Sequence, residues 1–485
     1  MLCGGFLLKE LSRSSRCESN KITVSCAMNP VSLLGHCTEL LGQIERSRAT
    51  PADVLTSSYT RARKYLGAKE RRALSEIVFA TLRTKNAAEH LARTYFDENN
   101  LPQPSQALAA LMGAIAAIAP AWASFNPHEV LDPAAGSSTD PDQALAALYT
   151  RTLGTELPTD WGDALRRMLP KLECSPSSSA QLAIATCLPE WIVESLRTGG
   201  MPKSEILALG RALMRPAPLV LRSASLTQTR EDLLEHFARE GIAARPTSLS
   251  PSGIVIEQRM YLLDHPLYRT GAIEVQDEGS QLVAFALAPE EDWDILDACA
   301  GAGGKTLHLA QLQRDRGRII ATDADRRRLE QLARRLKRHR FRSIHLAKLD
   351  GHRSAQRAHF DAVLLDVPCT GSGTVRRAPE IKWRIHTRQL ERIVATQERI
   401  LEQYHACVRS GGVLVYATCS LLPEENQRVV ERFLARHTEF EPDPLAPAFE
   451  RYGIALPLSP DEWQLQLLPH RHGTDGFFVA RLRRR

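Results

Sequence analysis

Residues 360–373 read FDAVLLDVPCTGSG, and residues 413–420 read VLVYATCS. Each opens as a run of apolar and β-branched residues, the composition of a strand buried on both faces of a parallel sheet. Each then breaks at a short polar tip with one cysteine, Cys369 in the first and Cys419 in the second. The first tip also carries Asp366 and the turn-forming Gly371 and Gly373. In an open α/β sheet, ligands bind outside the carboxyl ends of the strands. Two thiols and a carboxylate at two such ends are therefore expected to face one crevice, the candidate active site.

Outward from this pair, strand and helix patterns alternate regularly from about residue 273. Strands are expected at 293–300, 318–323, 344–350, 361–368 and 412–418. Helices are expected at 305–313, 325–340, 387–408 and 424–437. That is an α/β chain with a doubly wound parallel sheet. Residues 463–468 and 476–482, parted by a His/Gly/Asp turn, read as a terminal antiparallel hairpin. Upstream, apolar residues from 30 to 100 fall at helical spacing, with 68–83 the best amphipathic segment and an Ala-rich helix at 106–119. Segments 127–141 and 175–179 read as loops. Residues 188–212 are helical again. A strand at 217–226, a helix at 230–240 capped by Thr229 and stopped by Gly241, and a strand at 253–257 suggest a small α+β module. Lys203, Arg211, Arg215 and Arg222 lend that module positive charge. The expected domains are 1–27 (a disordered leader), 28–170 (all-helical), 171–270 (a connecting region and the α+β module) and 271–485. No internal repeats are present.

The totals agree with a multidomain chain. It has 485 residues, too many for one core. Hydrophobic residues make up 43% and charged residues 24%, an ordinary globular composition. The longest apolar stretch, 107–123, is interrupted by Pro120, so no membrane span and no secretory signal are expected. The ten cysteines are scattered without a CxxC pair or zinc-ligand spacing, which favours reduced thiols and a cytoplasmic setting. Net charge is +6, compatible with a nucleic-acid partner without requiring one.

Residues 295–306 read ILDACAGAGGKT: strand, Gly-rich turn, helix start. Gly301, Gly303 and Gly304 let the backbone approach a ligand, and the free amides at the helix start favour an anionic group. A P-loop fails, because Cys299 stands where its first glycine must be. Asp297, Asp323, Asp350 and Asp366 mark four successive strand ends on one rim, and Asp323 is placed to bind a ribose. Strand-end aspartates often only form turns, but four in register weigh against coincidence. Cys37, Cys174, Cys187 and Cys407 read as small buried hydrophobes. The basic helix at 324–340 carries eight Lys/Arg against two carboxylates, and suits a solvated face or an RNA contact equally. Residues 374–388 make the stronger nucleic-acid candidate, setting Arg376, Arg377, Lys382 and Arg384 beside Trp383. His470 and His472 read as turn residues, and no metal site is expected.

Together these residues resemble the RNA cytosine-C5 methyltransferases of the nucleolar-protein/Sun group, and within it the bacterial 16S rRNA methyltransferase B type. VQDEGSQLVA (275–284) is similar to the family's lead-in helix, and DACAGAGGKT to its cofactor loop, usually DACAAPGGKT. DVPCTGSG is similar to DAPCSGTG, YATCS to the nucleophile motif and DGFFVARL to the closing strand. Upstream the match is looser. Residues 68–83 are similar to a helix of a NusB-like RNA-binding domain, and LPEWIVESL and RPAPLVLR to the connecting region. Gly301 and Ala302 replace the usual Ala-Pro, and Val367 and Thr370 are mild departures.

The resemblance implies a Rossmann-like class I methyltransferase domain preceded by the NusB-like domain. It implies S-adenosylmethionine as cofactor and RNA, ribosomal in this type, as partner, with no obligate protein partner and a monomeric chain. It gives Cys419 as the nucleophile on carbon-6 of cytosine, Asp366 as the group that holds and protonates the base, Cys369 as the release residue, and Lys305 beside them. The cofactor would lie on Cys299, Ala300, Gly301, Ala302, Gly303, Gly304 and Lys305, with Asp323 at its ribose, Asp350 at its adenine and Asp366 alongside. The same chemistry on tRNA, a DNA cytosine methyltransferase using the PC cysteine, and an inert NusB-like RNA-binding factor are the alternatives. The additional TC cysteine argues against the DNA enzyme, and the intact Lys305, Asp366, Cys369 and Cys419 against an inert factor.

Overall fold

The computed structural model describes residues 29–47, 49–123, 125–131, 140–173, 176–258, 260–347 and 360–485. The expected leader, Cys174 and Asp350 lie outside the described residues. The chain opens with helices, and the longest, Ala68–Glu98, runs well past the expected end at 83. Residues 84–98 contain neither Gly nor Pro, so nothing stops the helix before Asn99, and Asn100 then takes a left-handed turn. Gly113 lets a second helix, Gln106–Gly113, lie against it, since a Cβ there would meet the Ala88 carbonyl oxygen at 2.0 Å. The expected loop at 127–141 contains a short helix, Pro127–Leu131, and closes on Asp140, which caps Pro141–Leu153. These helices share one apolar core running from Leu33 to Met168.

The region expected to be helical at 188–212 holds two helices, Glu190–Thr198 and Lys203–Met214, parted by Gly199, Gly200 and Pro202. A small antiparallel sheet follows. Its strands are β1 (Leu219–Ser223), β2 (Ala244–Pro246), β3 (Gly253–Ile256) and β4 (Ile273–Val275), in the order β2-β3-β1-β4. β4 lies beyond residue 270, where the module was expected to end. Thr229 and Asp232 form a reciprocal cap on the helix Arg230–Arg239, which packs Leu233 and Phe237 under this sheet. Arg222, one of the four residues expected to lend this module positive charge, is fully buried and bonds to Gln276 and Gln311.

The main sheet holds β5 (Asp294–Asp297), β6 (Arg318–Ala321), β7 (Ile344–Leu346), β8 (Phe360–Asp366), β9 (Val408–Thr418), β10 (Phe440–Pro442), β11 (Gln464–Leu467) and β12 (Phe477–Arg484). The order is β10-β12-β9-β8-β5-β6-β7, with β11 paired to β12. The run from β7 to β9 is parallel, and β12 enters antiparallel beside β9. This is a Rossmann-like sheet whose strand order reverses between β5 and β8, the point at which such folds bind ligands. Two apolar layers cover its faces. β11 and β12 form the antiparallel pair expected at the carboxyl end. Among the described residues, no helix is long and apolar enough to cross a membrane.

Residues 374–385 of the expected RNA segment are buried or half-buried, and only 386–388 are exposed. Lys382, 1% exposed, donates from Nζ to the Arg83 carbonyl at 2.7 Å, and Trp383 Nε1 donates to the Leu82 carbonyl at 3.3 Å. Glu380 accepts from the Ala52 amide at 2.9 Å. Arg376, 9% exposed, donates to the carbonyls of Gly473 and Pro216. Arg377 pairs with Asp277 at 2.8 Å and Asp475 at 2.5 Å. Arg384 lies half-buried, 3.9 Å from Glu380. Burial of Arg376 and Lys382 removes the RNA contact expected of them, while Arg377 and Arg384 are partly exposed and held in ion pairs. Arg376, Arg377 and Lys382 clasp the helical half, the small sheet and the main sheet together.

Candidate active site

β8 and β9 run side by side, with Asp366 opposite Ala417, so the tips that follow them leave the sheet together. The Cys369 and Cys419 sulfurs lie 3.2 Å apart. Asp366 ends β8 and accepts from Lys305 Nζ at 2.8 Å. Lys305 comes from the first turn of the helix Gly304–Leu312, after β5, and lies 5.3 Å from the Phe477 ring at the start of β12. Four strand ends thus supply one cluster, and the convergence expected of the two thiols and the acid is observed.

The cluster is polarised. Burial alone would lower the Lys305 ammonium, but Asp366, Cys419 and Asp297 together hold it above its ordinary value. The hydrogen bond to Cys419, and then burial, push the Cys369 thiol up. Burial and the neighbouring Asp297, Asp366 and Asp323 likewise raise Cys299, which stays a thiol.

The loop after β5 takes its shape from three groups. Gly303 has φ +87°, and a Cβ there would strike Leu332. Gly301 has φ +55° with open space around it, and its amide donates to Asp323 Oδ2 at 2.8 Å. The Ala302 carbonyl accepts from Arg335 at 2.7 Å. Cys299, Ala300, Gly301, Ala302, Gly303, Gly304 and Lys305 thus form one turn beside Asp323 and Asp366.

Asp297 ends β5 and accepts from Thr306 Oγ1 at 2.7 Å, while its Oδ1 is buried with no partner. Burial pushes its carboxyl up to about 7. Asp297 and Asp366 stand at the ends of β5 and β8, Asp323 accepts from the Gly301 amide, and Lys305 is bonded to Asp366. Such a donor set suits a ligand carrying positive charge on a ribose-bearing body.

Sequence reading missed the groups that tie the two cysteine tips together. Glu425 accepts from the Thr370 amide at 2.8 Å, from Thr370 Oγ1 at 2.5 Å, from Gln397 at 3.0 Å and from Ser420 Oγ. Asn426 accepts from Thr418 Oγ1 at 2.6 Å and donates to the Ser420 carbonyl at 3.0 Å. The helix expected from 424 begins at Gln427, because Glu425 and Asn426 are spent on this network. The polar run EEN directly after the second tip was the available signal.

Residues 284–483 match the family described as 16S rRNA methyltransferase RsmB/F, and residues 188–262 match a ferredoxin-like domain of RsmF/B-like methyltransferases. A probable ribosomal RNA small subunit methyltransferase B of Bacillus subtilis is 31% identical over 324 residues, which cover 66% of this chain and 71% of that protein. The ribosomal RNA small subunit methyltransferase B of Shewanella oneidensis is 33% identical over 314 residues, 64% of this chain and 70% of that one. The crystal structure of PH0851 superposes with a TM-score of 0.66, covering 94% of this chain and 99% of its own at 23% identity, a likeness of fold.

Proposed function

Because the chain belongs to the RsmB/F family of 16S rRNA methyltransferases, we propose that it methylates carbon-5 of a cytosine in small-subunit ribosomal RNA through a covalent Cys419 adduct. The single observation that carries the reading is the pair of sulfurs 3.2 Å apart, beside an acid bonded to a buried lysine.

S-adenosylmethionine, the cofactor of this enzyme, supplies an electrophilic methyl group when bound. The turn from Cys299 to Lys305 would hold its methionine part and Asp323 its ribose. Its positive charge would suit the carboxylate of Asp366. Asp350 is proposed at the adenine edge.

Carbon-5 of cytosine is a weak nucleophile, so the chain must activate it. The Cys419 thiolate adds to carbon-6, forming an S–C bond, and the ring electrons shift toward N3. Asp366, bonded to Lys305, holds N3 and delivers the proton that neutralises the adduct. Carbon-5 is then enamine-like and accepts the methyl group. Transfer of the carbon-5 proton to a base restores the ring double bond and expels Cys419 as thiolate, with Cys369 assisting from 3.2 Å, and N3 returns its proton to Asp366. The base must unstack to enter, at a cost of a few kcal/mol. We read the helical half as a NusB-like RNA grip that helps offset this cost, and its separate core supports that reading. Two adjacent free thiols need a reducing compartment, which favours the cytoplasm.

Cys419→Ala is expected to abolish methylation while retaining cofactor binding, and turnover in this variant would reassign the nucleophile. Cys369→Ala is expected to accumulate a protein–RNA adduct visible on a denaturing gel. A variant that turns over without adduct would remove the release role.

A further inference from the structure

Away from the catalytic rim, two helices end against one another. The helix Thr387–Tyr404 carries Glu402 in its last turn and leads into the short turn His405–Cys407. The helix Gln427–Arg436 is closed by His437, and Glu439 follows just before β10. We propose that Glu402, His405 and His437 bind a zinc ion, with Glu439 orienting one ligand.

The Nδ1 atoms of both imidazoles already face oxygen acceptors. His405 Nδ1 faces the carbonyls of Leu401 and Glu402 at 3.2 and 3.0 Å. A carbonyl can only accept, so Nδ1 carries the proton and the Nε2 lone pair is free for a metal. His437 Nδ1 faces the Glu439 carboxylate at 3.2 Å, and its Nε2 lies 3.1 Å from both oxygens of Glu402. Metal-bound histidines characteristically give their second nitrogen to a carbonyl or carboxylate in this way.

The candidate ligand atoms of Glu402, His405 and His437 all lie within 4.8 Å of one another. Zinc bonds of about 2.0–2.1 Å require a tetrahedral separation of about 3.4 Å, so closure needs side-chain rotation and no shift of the fold. Arg436 binds Glu402 Oε1 at 3.0 Å, which leaves Oε2 for the ion. The carboxyl ends of both helices also present partial negative charge here, favouring a cation. Two imidazoles and a carboxylate, with a fourth position open to water, make a borderline donor set suited to zinc.

This site is not part of methyl transfer. It precedes β9, whereas Cys419 follows that strand; Val408 pairs with Phe360 and Ala417 with Asp366, so the two lie roughly 20 Å apart at about 3.3 Å per residue. The ion would instead pin the two helices to each other.

The test uses the full chain, stripped with a chelator and titrated with zinc alone. One equivalent is expected to bind and to raise the melting temperature. His405→Ala should weaken binding at least 100-fold, and Glu439→Gln about 10-fold or more. Cobalt should give the visible bands of a four-coordinate ion without the near-ultraviolet sulfur band that binding at Cys369 or Cys419 would add. Should a variant misfold, this wild-type spectrum decides. Equal affinity in His405→Ala, a sulfur band, or no stoichiometric uptake would leave an ion-pair cluster only and overturn the proposal.

Discussion

Asp297 stands at the end of β5 with one oxygen bonded to Thr306 and the other unpartnered. Burial raises its carboxyl to about 7, and the nearby Asp366 adds to this, while Thr306 and Lys305 pull it down. An unfolded aspartate titrates near 3.9, so between about pH 4 and 7 the folded chain holds a proton that the unfolded chain has lost. Stability from this group is therefore complete below about pH 4 and is lost as pH rises through 7. Asn at this position can still accept from Thr306 but cannot ionise. Asp297→Asn is expected to flatten the fall of the urea midpoint between about pH 4 and 7, an effect of up to about 4 kcal/mol. Identical slopes in the two proteins would show that Asp297 is ionised throughout. At this scale, what could be read beforehand was what local motifs carry. Cys369, Cys419, Asp366, Lys305 and Asp323 stand at strand tips, and a strand tip is visible in a dozen residues. Glu425 and Asn426 were not recognised, because their role exists only once the second tip folds back over the first. His405 and His437 were missed because 31 residues separate them and only the ends of two helices bring them together.

Among the elements, the parallel strands and their helices were legible because a buried strand and an amphipathic helix each write their period into the chain. How the strand tips are held was not, because it depends on backbone approach. Gly373 donates to the Cys419 carbonyl at 3.0 Å and accepts from the Gly476 amide at 2.9 Å, so the turn after β8 is stitched to the tips of both neighbouring strands. A Cβ on Gly373 would sit 2.0 Å from the Gly476 carbonyl oxygen. That obstacle is backbone and cannot rotate away. Gly373→Ala is accordingly expected to cost about 1–3 kcal/mol in unfolding experiments. It should also move the Cys369 turn, lowering kcat by far more than it weakens cofactor binding. Gly371→Ala makes a useful comparison: its φ is +71° but the nearest atom is 3.5 Å from the added Cβ, so it should show backbone strain without the clash. If Gly373→Ala matched wild type in both stability and turnover, the close approach would not matter to the site.

For the whole molecule, the question is what couples the helical half to the methyltransferase sheet. The basic, aromatic segment after the catalytic turn looked like a nucleic-acid surface because its partners lie far away in the chain. Lys382 meets Arg83 across 299 positions, and Arg377 meets Asp277 across 100. No local pattern announces such a contact. The clasp has a titratable centre. Burial pushes the Lys382 ammonium down to about 8, with the Cys187 contribution only partly offsetting it. An unfolded lysine titrates near 10.4, so between about pH 8 and 10.4 the unfolded chain binds the extra proton. The contribution is therefore complete above about 10.4 and is lost as pH falls through 8. Wild type should gain stability across that window by on the order of 3 kcal/mol relative to Lys382→Met, which fills the same space without a charge. Below pH 8 the Met variant still lacks the bond to the Arg83 carbonyl, so limited proteolysis should cut it between the helical half and the main sheet sooner than wild type. Cofactor binding, which depends on the turn at 299–305 and not on the clasp, should survive. Methylation of a long RNA should fall more than methylation of a short fragment, since only the long substrate needs both halves held in register. A variant that matches wild type in its pH slope and in its preference between the two RNAs would mean that the halves are joined elsewhere, with the apolar contact of Leu182, Ile192 and Leu209 with Leu390, Leu421 and Leu422 the next place to look.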